Sequence, residues 1–245
     1  MENLEHSILL LKEMINNSQS IVFFGGAGVS TESGIPDFRS KDGLYNMKYD
    51  FPPETILSHH FFMRNTAEFY KFYRDKLNSL AYEPNITHTK LASLEADGKL
   101  KAIVTQNIDG LHQKAGSKNV FELHGSVLRN YCMKCHAFYD ASAIFYNTAN
   151  SSEIPYCKCG GIIKPDVVLY EESLDDAILE NSIHAIANCD LLIVGGTSLT
   201  VQPASSLVHY FRGKNLVLIN RNFTSFDNVA NLVIHDSLGN VFKNI

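Results

Sequence analysis

Four of the five cysteines of this chain fall within 28 residues of one another, in a pattern that could hold a metal. Cys132 and Cys135 form a C-x2-C knuckle. After 21 intervening residues, Cys157 and Cys159 form a tighter C-x-C knuckle just before Gly160 and Gly161. Four thiolates in two close pairs suit a closed tetrahedral zinc site that leaves no position for water or substrate, so the Zn2+ they imply is structural. The single-residue gap of the second pair makes His136 a candidate substitute ligand. Cys189 stands alone near an apolar run and reads as a small buried hydrophobe.

Two further features could do chemistry. The apolar run Ile21-Val22-Phe23-Phe24 stops at Gly25-Gly26-Ala27-Gly28, and a strand ending in a glycine turn is where small residues let backbone N–H groups approach a dinucleotide's pyrophosphate. Gly26 and Gly28 supply two glycines of that fingerprint, but Thr31 stands where a third belongs. No acidic residue plainly ends a second strand, so the turn alone is equally compatible with tight packing. His124 closes the run Val120 to Leu123 and precedes Gly125, at the strand end where α/β sheets bind ligands. An imidazole there, with an unperturbed pKa near 6.5, can act as a general base at neutral pH. His59, His60, His88 and His209 read instead as ordinary structural histidines.

A scaffold must bring these groups together. The 245 residues are 45% hydrophobic and 19% charged, the composition of a globular protein with a proper core. A net charge of −5 offers no field for a phosphate backbone, so nucleic acid is not an expected partner. The first residues include Glu2 and Glu5 in place of a basic leader, and no run approaches a bilayer span. A cytoplasmic protein without membrane attachment is expected.

Leu4, Ile8, Leu11 and Ile15 predict an amphipathic helix over about 3–16. Apolar runs at 102–105, 120–123, 191–194, 216–219 and 232–234 predict further buried strands. A helix is predicted from near Ser173, with Asp175 and Asp176 in its first turn, and another from Pro203. Strands alternating with helices indicate a doubly wound α/β sheet. Two stretches break the alternation: an aromatic-rich helical pattern (Phe61, Phe62, Phe69, Tyr70, Phe72, Tyr73) and the cysteine segment. The expected division is therefore a main domain from 1–30, 85–125 and 164–245, with a helical insertion at 31–84 and a zinc-ribbon insertion at 126–163 forming a smaller lobe.

Taken together, Gly26-Ala27-Gly28-Val29-Ser30, Gly34-Ile35-Pro36-Asp37-Phe38-Arg39, Thr105-Gln106-Asn107-Ile108-Asp109, His124-Gly125, the cysteine pairs and Gly196-Thr197-Ser198-Leu199 resemble the sirtuins, in order and spacing, over nearly the whole chain. The resemblance implies a Rossmann-like domain and a bacterial-type enzyme that consumes NAD as co-substrate. Such an enzyme moves an acyl group from lysine to ADP-ribose and releases nicotinamide and O-acetyl-ADP-ribose.

It also implies the following roles. His124 is the general base for a ribose hydroxyl, with Asn107 beside it in the catalytic site. Ala27 and its neighbouring glycines, with Ser30, line the pyrophosphate. Asp37, Phe38 and Arg39 sit on a loop over the nicotinamide end. Gln106 and Asn107 face the ribose, and Ile108 and Asp109 form the carboxamide pocket. Gly196, Thr197 and Ser198 serve a phosphate, and Asn220 serves the adenosine ribose. Acetylated-lysine proteins bind as extended peptides along Val167, Val168, Leu169 and Tyr170.

Sirtuins generally carry glycine where this chain has Glu171, which puts the peptide edge under a different backbone demand. Where succinyl groups are preferred, a Tyr-x-x-Arg pair binds the acidic acyl end; here Tyr70 matches but Tyr73 replaces the arginine and Arg74 comes one residue late, so acetyl is expected. Three other readings compete: an NAD-dependent dehydrogenase, a mono-ADP-ribosyltransferase and a zinc-ribbon binding module. The last has little support, since 126–163 contains only Arg129, Lys134 and Lys158 as basic residues.

Overall fold

The computed structural model describes residues 2–37, 50–146 and 153–245. Strands β1 (Ile21–Gly25), β2 (Leu100–Thr105), β3 (Val120–Glu122), β7 (Leu191–Gly195), β8 (Asn215–Ile219) and β9 (Leu232–Ile234) form a six-stranded sheet in the order β3-β2-β1-β7-β8-β9, every neighbour parallel. That is the doubly wound Rossmann-like order, with its direction reversing between β1 and β7. Continuous apolar runs suit such strands because both faces are covered. Phe23, Ile103, Ile193 and Val217 pack on one face with helices α1 (Glu2–Asn17), α5 (Ile86–Ala96) and α9 (Leu238–Phe242). Phe24, Val104, Val194 and Leu218 pack on the other, with α8 (Asp176–Asn188).

A second, three-stranded antiparallel sheet holds β4 (Gly125–Cys132) between β5 (Phe138–Asp140) and β6 (Ile163–Val167). Helices α2 (Pro53–Ile56), α3 (His59–Arg64) and α4 (Thr66–Lys76) pack on it through Phe61, Phe62, Phe69, Tyr70, Phe72 and Tyr73, which meet Val127, Ile163 and Val167 in a separate core. Short helices α6 (Leu111–Lys114) and α7 (Ser142–Phe145) complete the described elements of this class.

Two local expectations differ. The cap of α8 is Asp175, whose carboxylate accepts from the Ile178 N–H at 2.9 Å, and not Ser173; a carboxylate bonds the first-turn amides more strongly than a hydroxyl. The segment after Pro203 is a 3-10 helix, Ala204–Tyr210. Among the described residues no helix is long and apolar enough to cross a membrane.

Candidate active site

A cleft of about 540 Å³ opens at the carboxyl ends of the parallel strands, around the β1/β7 reversal, and is lined on its far side by residues of the smaller sheet and its helices. The Gly25↔Gly195 pairing sets the two strand ends side by side, so the turns that follow meet. The Gly28 N–H donates to the Gly196 carbonyl at 2.8 Å, and a β-carbon on Gly28 would fall 2.7 Å from the Gly196 Cα. Glycine is thus required here by backbone contact between the loops. The amides of Gly26, Gly28, Val29 and Ser30 all bond to carbonyls within the fold, which leaves Ala27 as the amide of this turn without a partner among the described residues.

Beneath the turn lies a polar cluster. The Ser30 hydroxyl, 1% exposed, donates to Asp109 Oδ2 at 2.6 Å and accepts from Asn107 Nδ2 at 3.1 Å. Burial raises the Asp109 pKa, opposed by the bonds from Ser30 and from the Leu111 N–H. Gln106 Nε2 donates to Thr197 Oγ1 at 3.0 Å, and the Thr197 N–H donates to Asn220 Oδ1 at 3.0 Å. The buried Asn220 Nδ2 has no partner among the described residues, a donor left for a ligand acceptor in the cleft. Together with the Ala27 amide and the glycine floor, this donor set fits a dinucleotide's phosphates and ribose.

His124 sits where the chain leaves the large sheet for β4. Gly125 makes that exit possible: φ is 73°, and a β-carbon would lie 1.9 Å from the Asp166 carbonyl oxygen. His124 Nδ1 bonds to the Gln106 carbonyl at 2.9 Å. A carbonyl can only accept, so Nδ1 carries the proton and Nε2 is the acceptor in the neutral ring. Burial lowers the His124 pKa below the ordinary imidazole value, and the Gln106 bond, which favours the charged form, offsets this only in part.

Val167, Val168, Leu169 and Tyr170 form the opposite wall. The Val168 N–H bonds to the His124 carbonyl, which ties this wall to the histidine. Tyr170 spends both main-chain groups on Leu57 and His59, and the Leu169 N–H bonds to Glu172 Oε2. Glu171 has φ 76°, in the left-handed region that favours glycine, at a cost of about 1–2 kcal/mol. Its carboxylate accepts from the His60 N–H at 2.9 Å, which holds it there.

The four cysteine Sγ atoms lie within 4.8 Å of one another, with Cys132···Cys159 and Cys135···Cys159 at 3.4 Å and Cys135···Cys157 at 3.6 Å. A tetrahedral site with Zn–S near 2.3 Å has S···S edges of about 3.8 Å. The cluster is positioned to bind such an ion, the short C-x-C gap notwithstanding. His136 is exposed and is not one of its members. Cys189 is buried in the second core, its thiol on the Ile186 carbonyl.

The cleft gathers Gly26, Ala27, Gly28, Ser30, Asp37, Gln106, Asn107, Ile108, Asp109, His124, Gly196, Thr197, Ser198 and Asn220. Phe38 and Arg39 lie outside the described residues. Tyr70 and Tyr73 do not line it: both are fully buried in the core of the smaller lobe, with the Tyr70 hydroxyl on the Ile163 carbonyl and Arg74 Nε on the Ile144 carbonyl at 2.6 Å. Sequence reasoning missed Ser79, whose hydroxyl donates to the Asp109 carbonyl, and the loops carrying Arg221 to Thr224 and Asp236 to Leu238. These loops follow β8 and β9, and the rule that ligands bind beyond strand carboxyl ends would have found them.

Comparison with known proteins agrees with this arrangement. The sequence profile of the Sir2 family matches residues 26–203. An NAD-dependent protein deacetylase of Clostridium perfringens strain 13 / Type A is 60% identical, over 99% of each chain. One of Staphylococcus aureus strain COL is 42% identical, again over 99% of each. Among solved structures, a complex described as Sir2-p53 peptide-NAD+ superposes with a TM-score of 0.85 at 36% identity, covering 96% of this chain and 95% of the other. Another, described as the structural basis for the mechanism and regulation of Sir2 enzymes, gives 0.88 at 41% identity, covering 98% and 97%. With a parallel sheet in the 3-2-1-7-8-9 order, a cleft at its reversal and four clustered thiols, this chain belongs to the Sir2 family.

Proposed function

We propose that the chain is an NAD-dependent protein lysine deacetylase that transfers the acetyl group of lysine to ADP-ribose, releasing nicotinamide and O-acetyl-ADP-ribose. The observation that carries this reading is His124 held as a neutral Nδ1–H tautomer in the same cleft as the glycine turn and the Val167–Tyr170 wall.

NAD, when bound, supplies a ribose carbon made reactive by its nicotinamide leaving group. The chain's own residues do the rest. His124, neutral at pH 7 because burial disfavours its charge, accepts a hydroxyl proton at Nε2. Asn107 and Ile108 shape the ribose and carboxamide end, with Ser30 bonding Asn107 and Asp109 and thereby fixing both. The Ala27 amide and Ser198 hold phosphate, and the Asn220 Nδ2 donor serves the adenosine ribose. Asp37 covers the nicotinamide end.

The substrate enters as an extended peptide along Val167, Val168, Leu169 and Tyr170. Acetyl is the fitting acyl group, because Arg74 is engaged with the Ile144 carbonyl and stacked 5.1 Å from the Tyr70 ring, away from the cleft. Cys132, Cys135, Cys157 and Cys159 hold a structural zinc and take no part in the chemistry. The division into a main domain (1–30, 85–125, 164–245) and a small lobe (31–84, 126–163) is supported by the separate core of the smaller sheet. Clustered free thiols fit a reducing compartment, the cytoplasm.

The test is to incubate the protein with NAD and an acetyl-lysine peptide and identify the products by mass. Nicotinamide and O-acetyl-ADP-ribose in equal amounts are expected. NADH would indicate a dehydrogenase, and ADP-ribose attached to protein would indicate a transferase; either result overturns the reading.

A further inference from the structure

Two adjacent carboxylates stand at the peptide edge of the cleft, and their surroundings are unlike. Glu172 is matched. Its Oε1 meets His59 Nδ1 at 2.8 Å, and its Oε2 meets Lys164 Nζ at 3.1 Å and the Leu169 N–H at 2.9 Å. Partial burial alone would raise its pKa, but these partners hold it below the ordinary carboxylate range. Glu171 is exposed and has one bond, from the His60 N–H; among the described residues no lysine, arginine or histidine side chain pairs with it.

The main chain of Glu171 also differs from that of its neighbours. Tyr170 has both its groups paired, and the Glu172 N–H is bonded to the Leu169 carbonyl, whereas neither the N–H nor the carbonyl of Glu171 has a partner among the described residues. An extended peptide lying along this wall therefore finds free main-chain groups at Glu171, and its side chains pass beside the Glu171 carboxylate.

Resting on the deacetylase reading above, we infer that Glu171 is a specificity determinant that selects acetyl-lysine sites with a cationic side chain close to the acetylated residue. Its left-handed backbone and its bond to His60 fix the carboxylate in place before peptide arrives. A docked arginine or lysine thus meets a charge that needs no rearrangement, and a docked glutamate meets repulsion.

The experiment is a matched set of acetyl-lysine peptides carrying arginine, alanine or glutamate at each of the two positions on either side of the acetyl-lysine. kcat/KM is measured for the full-length protein and for Glu171→Gln, which keeps an acceptor for the His60 N–H. At one or more positions, arginine should exceed glutamate by about tenfold at 0.1 M salt, chiefly through KM. The ratio should shrink as the screening length falls from about 10 Å to about 3 Å at 1 M. In Glu171→Gln, and in Glu171→Gly as a second variant, the ratio should fall at least about threefold. A purely structural role would lower all peptides alike and leave the ratio unmoved, which overturns the inference. No discrimination in the unmodified protein also overturns it. No turnover of any peptide instead sinks the deacetylase reading beneath it.

Discussion

In the six-stranded sheet every residue of β1 and β7 is buried, and alternate side chains feed two apolar cores on opposite faces. In the three-stranded sheet β5 is largely exposed, and the paired Tyr131 and Phe138 remain 38% and 58% exposed. The first sheet is held by hydrophobic burial, at about 1.5–3 kcal/mol per large apolar side chain. The cysteine end of the second buries too little for that and closes on four thiols instead. The two regions therefore divide the labour: the large sheet places the chemistry, and the metal module keeps the far wall of the cleft in shape.

The sharpest way to separate them is to remove one function from each. His124→Ala should lower deacetylation by about 10²- to 10⁴-fold, the usual worth of a general base. The thermal midpoint should change little, because the ring's one hydrogen bond among the described residues is to a backbone carbonyl at the cleft. Cys132→Ser should do the reverse in order: zinc content and thermal stability fall first, and activity declines as a consequence. Full activity from a folded, zinc-free protein would refute the architectural role of the metal.

A smaller effect is expected at Ser30. Its hydroxyl bridges Asn107 and Asp109, so Ser30→Ala leaves two buried polar groups short of a partner, at about 1–3 kcal/mol. If the cluster shapes the NAD site, that cost should surface as roughly a tenfold rise in the KM for NAD, with a lesser change in the KM for peptide. An equal effect on both would mean that Ser30 supports the fold in general and not this pocket.

The same contrast explains how much was legible in advance. β1, β2, β7, β8 and β9 were visible because strands buried on both faces must be apolar along their length. The helical insertion announced itself through its aromatic residues. β4, β5 and β6 carry no continuous apolar run like those of the large sheet, and only the cysteines told of the module. At the site, motif identity was legible and geometry was not. The glycine turn read as a set of open amides, but bonds to the carbonyls of Gly195, Gly196, Gly26 and Ala27 consume those of Gly26, Gly28, Val29 and Ser30 and leave Ala27. Ser30 read as a ligand residue, and it is engaged with Asn107 and Asp109. By resemblance Tyr70 and Tyr73 fall at the positions of the Tyr-x-x-Arg pair, whereas stacking with Phe69 and Phe145 draws Tyr73 into the small-lobe core. Such outcomes depend on contacts between segments far apart in sequence, which local patterns do not encode.

The last difference between the regions is in their response to acid. The large lobe buries two histidines in contact, His88 and His112, with ring centroids 4.8 Å apart. Burial lowers the His88 pKa to about 4; burial, reinforced by repulsion from His88, lowers that of His112 to about 3. His112 has neither ring nitrogen paired among the described residues, so nothing local compensates a charge there. The folded state thus prefers both rings neutral, while the unfolded chain takes up protons from about pH 6.5 downward. Their contribution is complete above pH 6.5 and is lost as pH falls toward 4 and then 3. The slope is about 1.4 kcal/mol per pH unit for each histidine, or about 2 kcal/mol each between pH 6.5 and 5. His88 Nδ1 accepts from the Asn85 N–H in a capping box, a role that glutamine can also fill. His88→Gln should therefore remove one of the two titrations while keeping the cap, and urea midpoints measured at pH 7 and pH 5 should differ by roughly half as much as in the unmodified protein. An unchanged difference would place the acid sensitivity outside this pair, in the exposed module or the carboxylates of the cleft.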